Sequence, residues 1–305
     1  MYPIHRILVA IKDPRAGGVG MLEKVAQLAR ALDADVELFH ALCEPVYIDS
    51  MGLAEGAYPD FEQDARKACL TQLERVASRL RRKGVRTSTA AEWDFPAYEA
   101  IVRRAARTDA NLIVADCHAH AHHAPWLLRF TDWELVRLAC VPVLLLKSHR
   151  AYKHPRILAA LDPGRAFGKP ADLDGQILHI GGAVADALQG TLHAVHGYGP
   201  VIANEGAAAA GLQQVLRWEG LPAKRRHLLA QDGCTAIETV ARQIGSAIVV
   251  MGALSRHGMS RMVIGNTAER LLDRLDCDAL IVKPAGFRNR ITRASRGMPV
   301  VTVPA

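Results

Sequence analysis

The densest cluster of side chains able to do coordination chemistry is His118, His120, His122 and His123. Imidazole nitrogens are common ligands for zinc, copper or nickel. Alternating spacing points three of these rings one way only in an extended segment, and a polar surface loop accounts for the same residues, so no metal is assigned. The six cysteines, Cys43, Cys69, Cys117, Cys140, Cys234 and Cys277, are never closer than 23 positions. That spacing excludes a zinc knuckle or a Cys-x-x-Cys redox pair, and buried reduced thiols are expected. The chain has no Gly-x-x-x-x-Gly-Lys-Ser/Thr loop, no Gly-x-Ser-x-Gly elbow and no His-Glu-x-x-His helix. No residue is therefore assigned as nucleophile, general base or leaving-group acid, and the expectation is a protein without catalytic residues.

Composition sets the frame for these side chains. Of 305 residues, 50% are hydrophobic and 23% charged, enough apolar material for two domains. The start, Met1-Tyr2-Pro3-Ile4-His5-Arg6, lacks a basic segment followed by a long apolar one. Apolar runs such as Leu138 to Leu146 fall short of the roughly 18 residues a membrane helix needs. The expectation is a cytoplasmic protein without membrane insertion. Lys plus Arg exceed Asp plus Glu by 38 − 31 = +7. Residues 1–150 contribute 20 − 19 = +1 and residues 151–305 contribute 18 − 12 = +6. Four of those charges are Arg288, Arg290, Arg293 and Arg296, so no basic face is implied and no nucleic-acid partner is expected. The tail reads as a solubilising or mobile terminus, or as a dock for an anionic partner.

The elements that must position any site occur twice. Arg6-Ile7-Leu8-Val9-Ala10-Ile11 is answered by Arg156-Ile157-Leu158-Ala159-Ala160-Leu161, followed by Asp13-Pro14 and Asp162-Pro163 respectively. Such short apolar runs suit strands buried on both faces. Met21 to Ala41 aligns without gaps on Ile177 to Gly197, matching His40 with His196. In the first copy Leu22, Val25, Leu28, Ala29 and Leu32 form one helical stripe before the strand Val36-Glu37-Leu38-Phe39. Leu112 to Val136 aligns with Ile248 to Leu272, and each half closes on an apolar strand and a lysine, Lys147 and Lys283. Alternating strands and helices predict two tandem doubly wound, Rossmann-like α/β domains with parallel sheets. Residues 1–150 form the first domain and 151–285 the second, with a basic tail over 286–305. His149 to His154 is the linker.

The last aligned block carries a resemblance. Met251-Gly252, Gly258-Met259-Ser260, Gly265-Asn266-Thr267-Ala268-Glu269, Cys277-Asp278 and Val282-Lys283-Pro284 resemble the C-terminal signature of the tandem universal stress proteins, E-type branch. Thr131-Asp132-Trp133 with Pro142 is similar to the same branch in the first half. The resemblance implies a five-stranded parallel sheet per domain, an intramolecular pseudo-dimer and a role in stress response.

Many members of that family bind ATP through Gly-x-x-Gly, nine residues, then Gly-Ser/Thr after the fourth strand. Glycines let backbone N–H groups approach phosphate, and a following helix N-terminus favours negative charge. The resemblance therefore makes ATP the candidate cofactor of the second half. Gly252 and Gly265 take the outer glycine positions, Ser255 the middle one, Asn266 the hydroxyl position, and Thr267 offers a hydroxyl one place later. Asp162 is implied as the base or ribose contact, and Gly197 as a backbone contact to adenine. In the first half Asp116, Ala119, Arg129 and Phe130 stand in the corresponding places, which predicts a lost nucleotide site. Asp13 reads as a loop cap, and Phe130 and Trp133 as core. The rival readings are an interaction module for an apolar small molecule or a protein partner without nucleotide, favoured by Ser255 and Asn266, and a slow ATPase.

Overall fold

A computed structural model describes residues 4–16, 19–43, 46–49, 57–117, 125–163, 172–199, 220–253, 271–272, 274–289, 291–292, 294–297 and 300–303. The elements of the first half are β1 (Arg6–Ala10), α1 (Val19–Ala31), β2 (Asp35–Leu42), β3 (Val46–Asp49), α2 (Ala57–Arg82), β4 (Thr87–Trp93), α3 (Ala97–Arg107), β5 (Leu112–Asp116), α4 (Pro125–Leu138) and β6 (Val143–Leu146). The second half gives β7 (Arg156–Ala160), α5 (Leu173–Ala187), β8 (Thr191–Gly197), β9 (Arg226–Leu229), α6 (Gly233–Ile244), β10 (Ile248–Gly252) and β11 (Asp278–Val282), and the tail adds β12 (Val300–Val303).

The chain divides into two compact units. The first comprises Ile4–Asp116, Ala121–Cys140 and Asn289–Ala305; the second comprises Val141–Arg288 with Met1–Pro3 and Cys117–His120. The first unit's sheet runs β4-β2-β1-β5 with every pair parallel. In the second the order is β6-β11-β10-β7-β8-β9, parallel except where β6 meets β11. The strands expected from Arg6, Val36, Leu112, Val143, Arg156, Thr191, Ile248 and Leu280 are present, but the first unit's sheet has four described strands where the resemblance implied five, and the grouping differs in two places from a division at 150 and 285. Strand β6, from the end of the first half, adds antiparallel to the edge of β11 through the pairs Val143↔Ile281, Leu144↔Leu280 and Leu145↔Ala279. The tail returns to the first unit, where β12 pairs in parallel with β3.

Burial explains why these segments are strands. Ile7, Leu8 and Val9 of β1 and Ile157, Leu158 and Ala159 of β7 are fully buried, as expected for parallel strands covered by helices on both faces. Leu22, Val25, Leu28 and Ala29 of α1 are likewise buried, so the stripe seen in the sequence is the packed face. Asp232 caps α6, its carboxylate accepting from the backbone N–H groups of Cys234 and Thr235, and Gly245 ends the helix at φ 60°, in the left-handed region.

A buried carboxylate organises the second unit. Asp278 is fully buried at the start of β11 and accepts from Lys147 N at 2.9 Å, Ser148 N at 3.2 Å and the Tyr152 hydroxyl at 2.5 Å. Burial, reinforced by the charge of Asp278, pushes the Tyr152 phenol well above its ordinary range, so it stays a donor. The Lys147 ammonium donates to the carbonyls of Leu272 and Leu275, where a helical segment ends and a cation is favoured. Asp278→Ala leaves those donors unmatched in the interior and is expected to destabilise by about 3 kcal/mol, against about 1 for Tyr152→Phe. Urea unfolding followed by circular dichroism checks both.

On β8 and β9, His193 Nδ1 lies 3.1 Å from His227 Nε2, with the rings stacked at 5.4 Å. Burial first, then His227, Arg225 and Arg156, lowers His193 from 6.5 to about 4, and burial lowers His227. A depressed histidine binds its proton more readily when unfolded, so stability is retained above pH 6.5 and falls as pH drops from about 6.5 towards 4. In His193→Gln that acid-side loss shrinks; unfolding midpoints measured across this range give the comparison.

Candidate functional site

In the second unit β7 is the first strand of its half; β8 and β9 continue to one side of it, while β10 and β11 lie on the other. The strand order therefore reverses between β7 and β10, and doubly wound sheets place their ligand crevice outside the carboxyl ends at such a point. Asp162 follows β7, and Gly252 is the last residue of β10. Gly197 ends β8 on the other side of β7. The sheet thus brings these three sequence-nominated residues to one end. Ser255, Gly265, Asn266 and Thr267 lie outside the described residues.

Asp162 is half-buried, and its backbone N–H donates to Asp174 Oδ1 at 3.1 Å. Asp174, buried in the first turn of α5, joins the strand end to that helix, a role that no motif in the sequence announces. With Asp172 at the helix start, the described border of the crevice is acidic. It suits hydroxyl and amino groups of a sugar or base better than phosphate oxygens.

The two glycines have specific packing partners. A Cβ at Gly197 would lie 2.7 Å from Gln231 O, 2.8 Å from Ala236 Cβ and 3.0 Å from Asp232 O. The chain entering α6 passes too close for any side chain, and Gly199 N donates to Gln231 O at 2.9 Å beside it. At Gly252 a Cβ would lie 2.6 Å from Leu173 Cδ2 and 3.4 Å from Ile177 Cδ1. The space beside Gly252 is filled by α5. Close helix-to-strand packing accounts for that glycine without a phosphate.

The first unit keeps the architecture and changes the chemistry. Its order reverses between β1 and β5, flanked by Lys12 and Asp116 where the second half has Asp162 and Gly252. Lys12 Nζ reaches Asp132 of α4 at 3.0 Å from Oδ1 and 3.1 Å from Oδ2. An ion pair with Asp132 largely buried thus spans from the end of β1 to α4. Asp13 caps the loop, its Oδ1 accepting from Arg15 N at 2.8 Å. Arg129 and Phe130 fall within α4, and Ala119 lies outside the described residues.

The matched histidines make the same contact in both units. His40 Nδ1 lies 2.7 Å from Ile11 O, and His196 Nδ1 lies 3.1 Å from Leu161 O. A carbonyl can only accept, so Nδ1 carries the proton in each ring and ties the second strand to the end of the first. The alignment of the two histidines was the sequence signal for this lock. His118, His120, His122 and His123 lie outside the described residues. Among the described residues no group of three or more His, Cys, Asp or Glu side chains could hold a metal ion. Nor, among them, is any helix long and apolar enough to cross a membrane.

Two doubly wound α/β units, each with a crevice at a strand-order reversal and each crevice built from different side chains, define a duplicated α/β protein. The chain belongs to the Universal stress protein family, whose profile matches residues 3–147 and 178–283. Universal stress protein E of Escherichia coli strain K12 is 21% identical over 310 residues, covering 94% of this chain and 97% of that protein. Among solved structures, a chain assigned to the universal stress proteins of Pseudomonas aeruginosa UCBPP-PA14 superposes with a TM-score of 0.70 at 24% identity, covering 93% of this chain and 94% of that one. A universal stress protein from Archaeoglobus fulgidus DSM 4304 gives 0.62 at 17% identity, covering 95% and 98%.

The glycine geometry predicts an order of sensitivity. Gly197→Ala forces a Cβ against backbone oxygens that cannot move independently, whereas Gly252→Ala meets the tip of a leucine that can change rotamer. The expected losses are about 3 and about 1 kcal/mol respectively. Urea midpoints of the two variants test the ranking, and a reversed order contradicts it.

Proposed function

We propose that this protein is a non-enzymatic cytoplasmic stress-response protein that binds an adenine nucleotide, ATP foremost, at the strand-order reversal of its second half. The supporting observation is the asymmetry between equivalent positions. In the first half Lys12 is bridged to Asp132, and Asp116 stands where the second half has Gly252. Asp162 and the acidic start of α5 supply acceptors for a ribose or base. The phosphates are assigned to the segment containing Ser255, Gly265, Asn266 and Thr267, and Gly197 lines the adenine side through its backbone. Binding then acts through conformation or a protein partner.

Titration calorimetry with ATP on the full chain, on Asp162→Ala and on Gly265→Arg tests this reading. Loss of a charged hydrogen bond weakens binding by about tenfold or more, so both variants should bind correspondingly less. Equal binding by all three proteins removes the assignment.

A second reading has its own observation. Gly252 is packed against Leu173, and Ser255 and Asn266 depart from the glycine pattern, which favours a crevice that holds an apolar small molecule or serves a protein partner. Native mass spectrometry of the purified chain distinguishes the two by the mass retained, adenine nucleotide or lipid.

A further inference from the structure

The arginine-bearing tail is docked. In the first unit, Asn289 Nδ2 donates to Leu138 O at 2.7 Å, Ser295 Oγ donates to Trp93 O at 2.9 Å, and Arg296 N donates to Asp94 Oδ1 at 2.9 Å. The Arg296 guanidinium lies 3.0 Å from Glu99 Oε2. Beyond them β12 pairs with β3, Val300↔Val46 through Val303↔Asp49, in a two-stranded sheet apart from the main one. Through Asn289, Ser295, Arg296 and Val300–Val303 the tail is therefore tied to the first unit, where the sequence suggested a mobile or solubilising terminus.

The two sides of this contact are unequal. On the receiving side, Arg103 is buried and donates to Asp94 through Nε and Nη2, each at 2.7 Å, and to Glu99 through Nη1 at 2.9 Å. Asp94 and Glu99 therefore keep their orientation whether or not Arg296 is present, which is a preorganised receptor. On the tail side Ser295 and Arg296 are exposed, and the strand pairing is four residues long. An isolated pair of short strands is marginal by itself, so this contact belongs to the segments that open while the core stays folded. Opening leaves the β3 backbone and two oriented carboxylates free to take another extended cationic segment. The segment with the same chemistry is the tail of a second copy, the usual basis of exchange between identical chains.

We propose that the first unit carries a peptide-docking groove, formed by the edge of β3 and the Asp94–Glu99 corner, whose resident occupant is residues 289–303. When that occupant lifts, the groove takes the same segment from a second copy of the chain. Arg296 is the latch. Its specific pattern is an arginine held by two carboxylates, followed four residues later by the strand Val300-Val301-Thr302-Val303.

The test uses the full chain, its Arg296→Glu variant and a fluorescein-labelled peptide of residues 289–305. In hydrogen exchange, residues 46–49 and 300–303 of the wild type should exchange together and faster than β1. Arg296→Glu should speed both by about tenfold, the worth of one charged hydrogen bond, and leave β1 and β2 unchanged. By anisotropy, the labelled peptide should bind the Arg296→Glu protein at least about tenfold more tightly than the wild type. A peptide itself carrying Arg296→Glu should bind neither. Unchanged exchange in the variant overturns the latch. A released tail with no peptide bound, or equal binding of the peptide to both proteins, overturns the groove.

Discussion

A parallel strand buried on both faces has no side chain to spare for function. Ile7, Leu8 and Val9, and their counterparts Ile157, Leu158 and Ala159, are wholly enclosed, so only the strand ends remain for chemistry. The other properties of this protein depend on that restriction. It concentrates divergence between the two copies at the carboxyl ends, where Lys12 stands for Asp162 and Asp116 for Gly252. The lock made by His40 and His196 survives in both because it holds one strand end to the next and touches neither crevice chemistry.

The same restriction explains why the two crevices can differ without a change of fold. In the first, a cation and a carboxylate close on each other, Lys12 on Asp132. In the second, Asp162 is oriented through its backbone by Asp174, and the strand ends are glycines against which α5 and the entry to α6 pack. Packing and ligand approach make the same demand on a glycine, the absence of Cβ. Gly252 and Gly197 satisfy the packing demand outright, so their presence alone assigns neither a phosphate loop at Gly252 nor an adenine contact at Gly197. What distinguishes the second crevice is Asp162 and Gly252 at the reversal of strand order, where the first has Lys12 and Asp116.

The duplication, the alternation of strands and helices and the buried stripe of α1 were legible in the sequence because each is a local pattern. The capture of β6 by β11 and the return of the tail to β3 were not, since backbone pairing across 134 to 254 positions leaves no local periodicity. Of the seven nominated site residues, Asp162, Gly197 and Gly252 lie at one end of the second unit's sheet, and the other four lie outside the described residues. The contact that fills the space beside Gly252 comes from Leu173, a leucine indistinguishable in sequence from any other core residue. Asp132 was within an aligned block and Lys12 directly followed one, but their pairing required the fold. The matched histidines were visible, and their meaning was not, because nothing in the sequence indicates that the acceptor is a backbone carbonyl of Ile11 or Leu161.

Both segments that leave their own half are held by a fully buried aspartate. Asp278 takes the chain following β6 through Lys147, Ser148 and Tyr152; Asp94 takes the tail through Arg296 while Arg103 holds it in place. An ionised carboxylate in the interior is strongly unfavourable unless several donors surround it, so the donors an arriving segment brings count towards the burial of the aspartate that receives it. The difference lies in what remains if the segment departs. Asp94 keeps a bidentate arginine from its own unit, whereas the Lys147, Ser148 and Tyr152 donors to Asp278 lie on the arriving chain. Departure from Asp278 therefore strips a buried charge of these donors, while departure from Asp94 does not. The first half's end is fixed, the tail is exchangeable, and the basic excess of the sequence is concentrated on the exchangeable one.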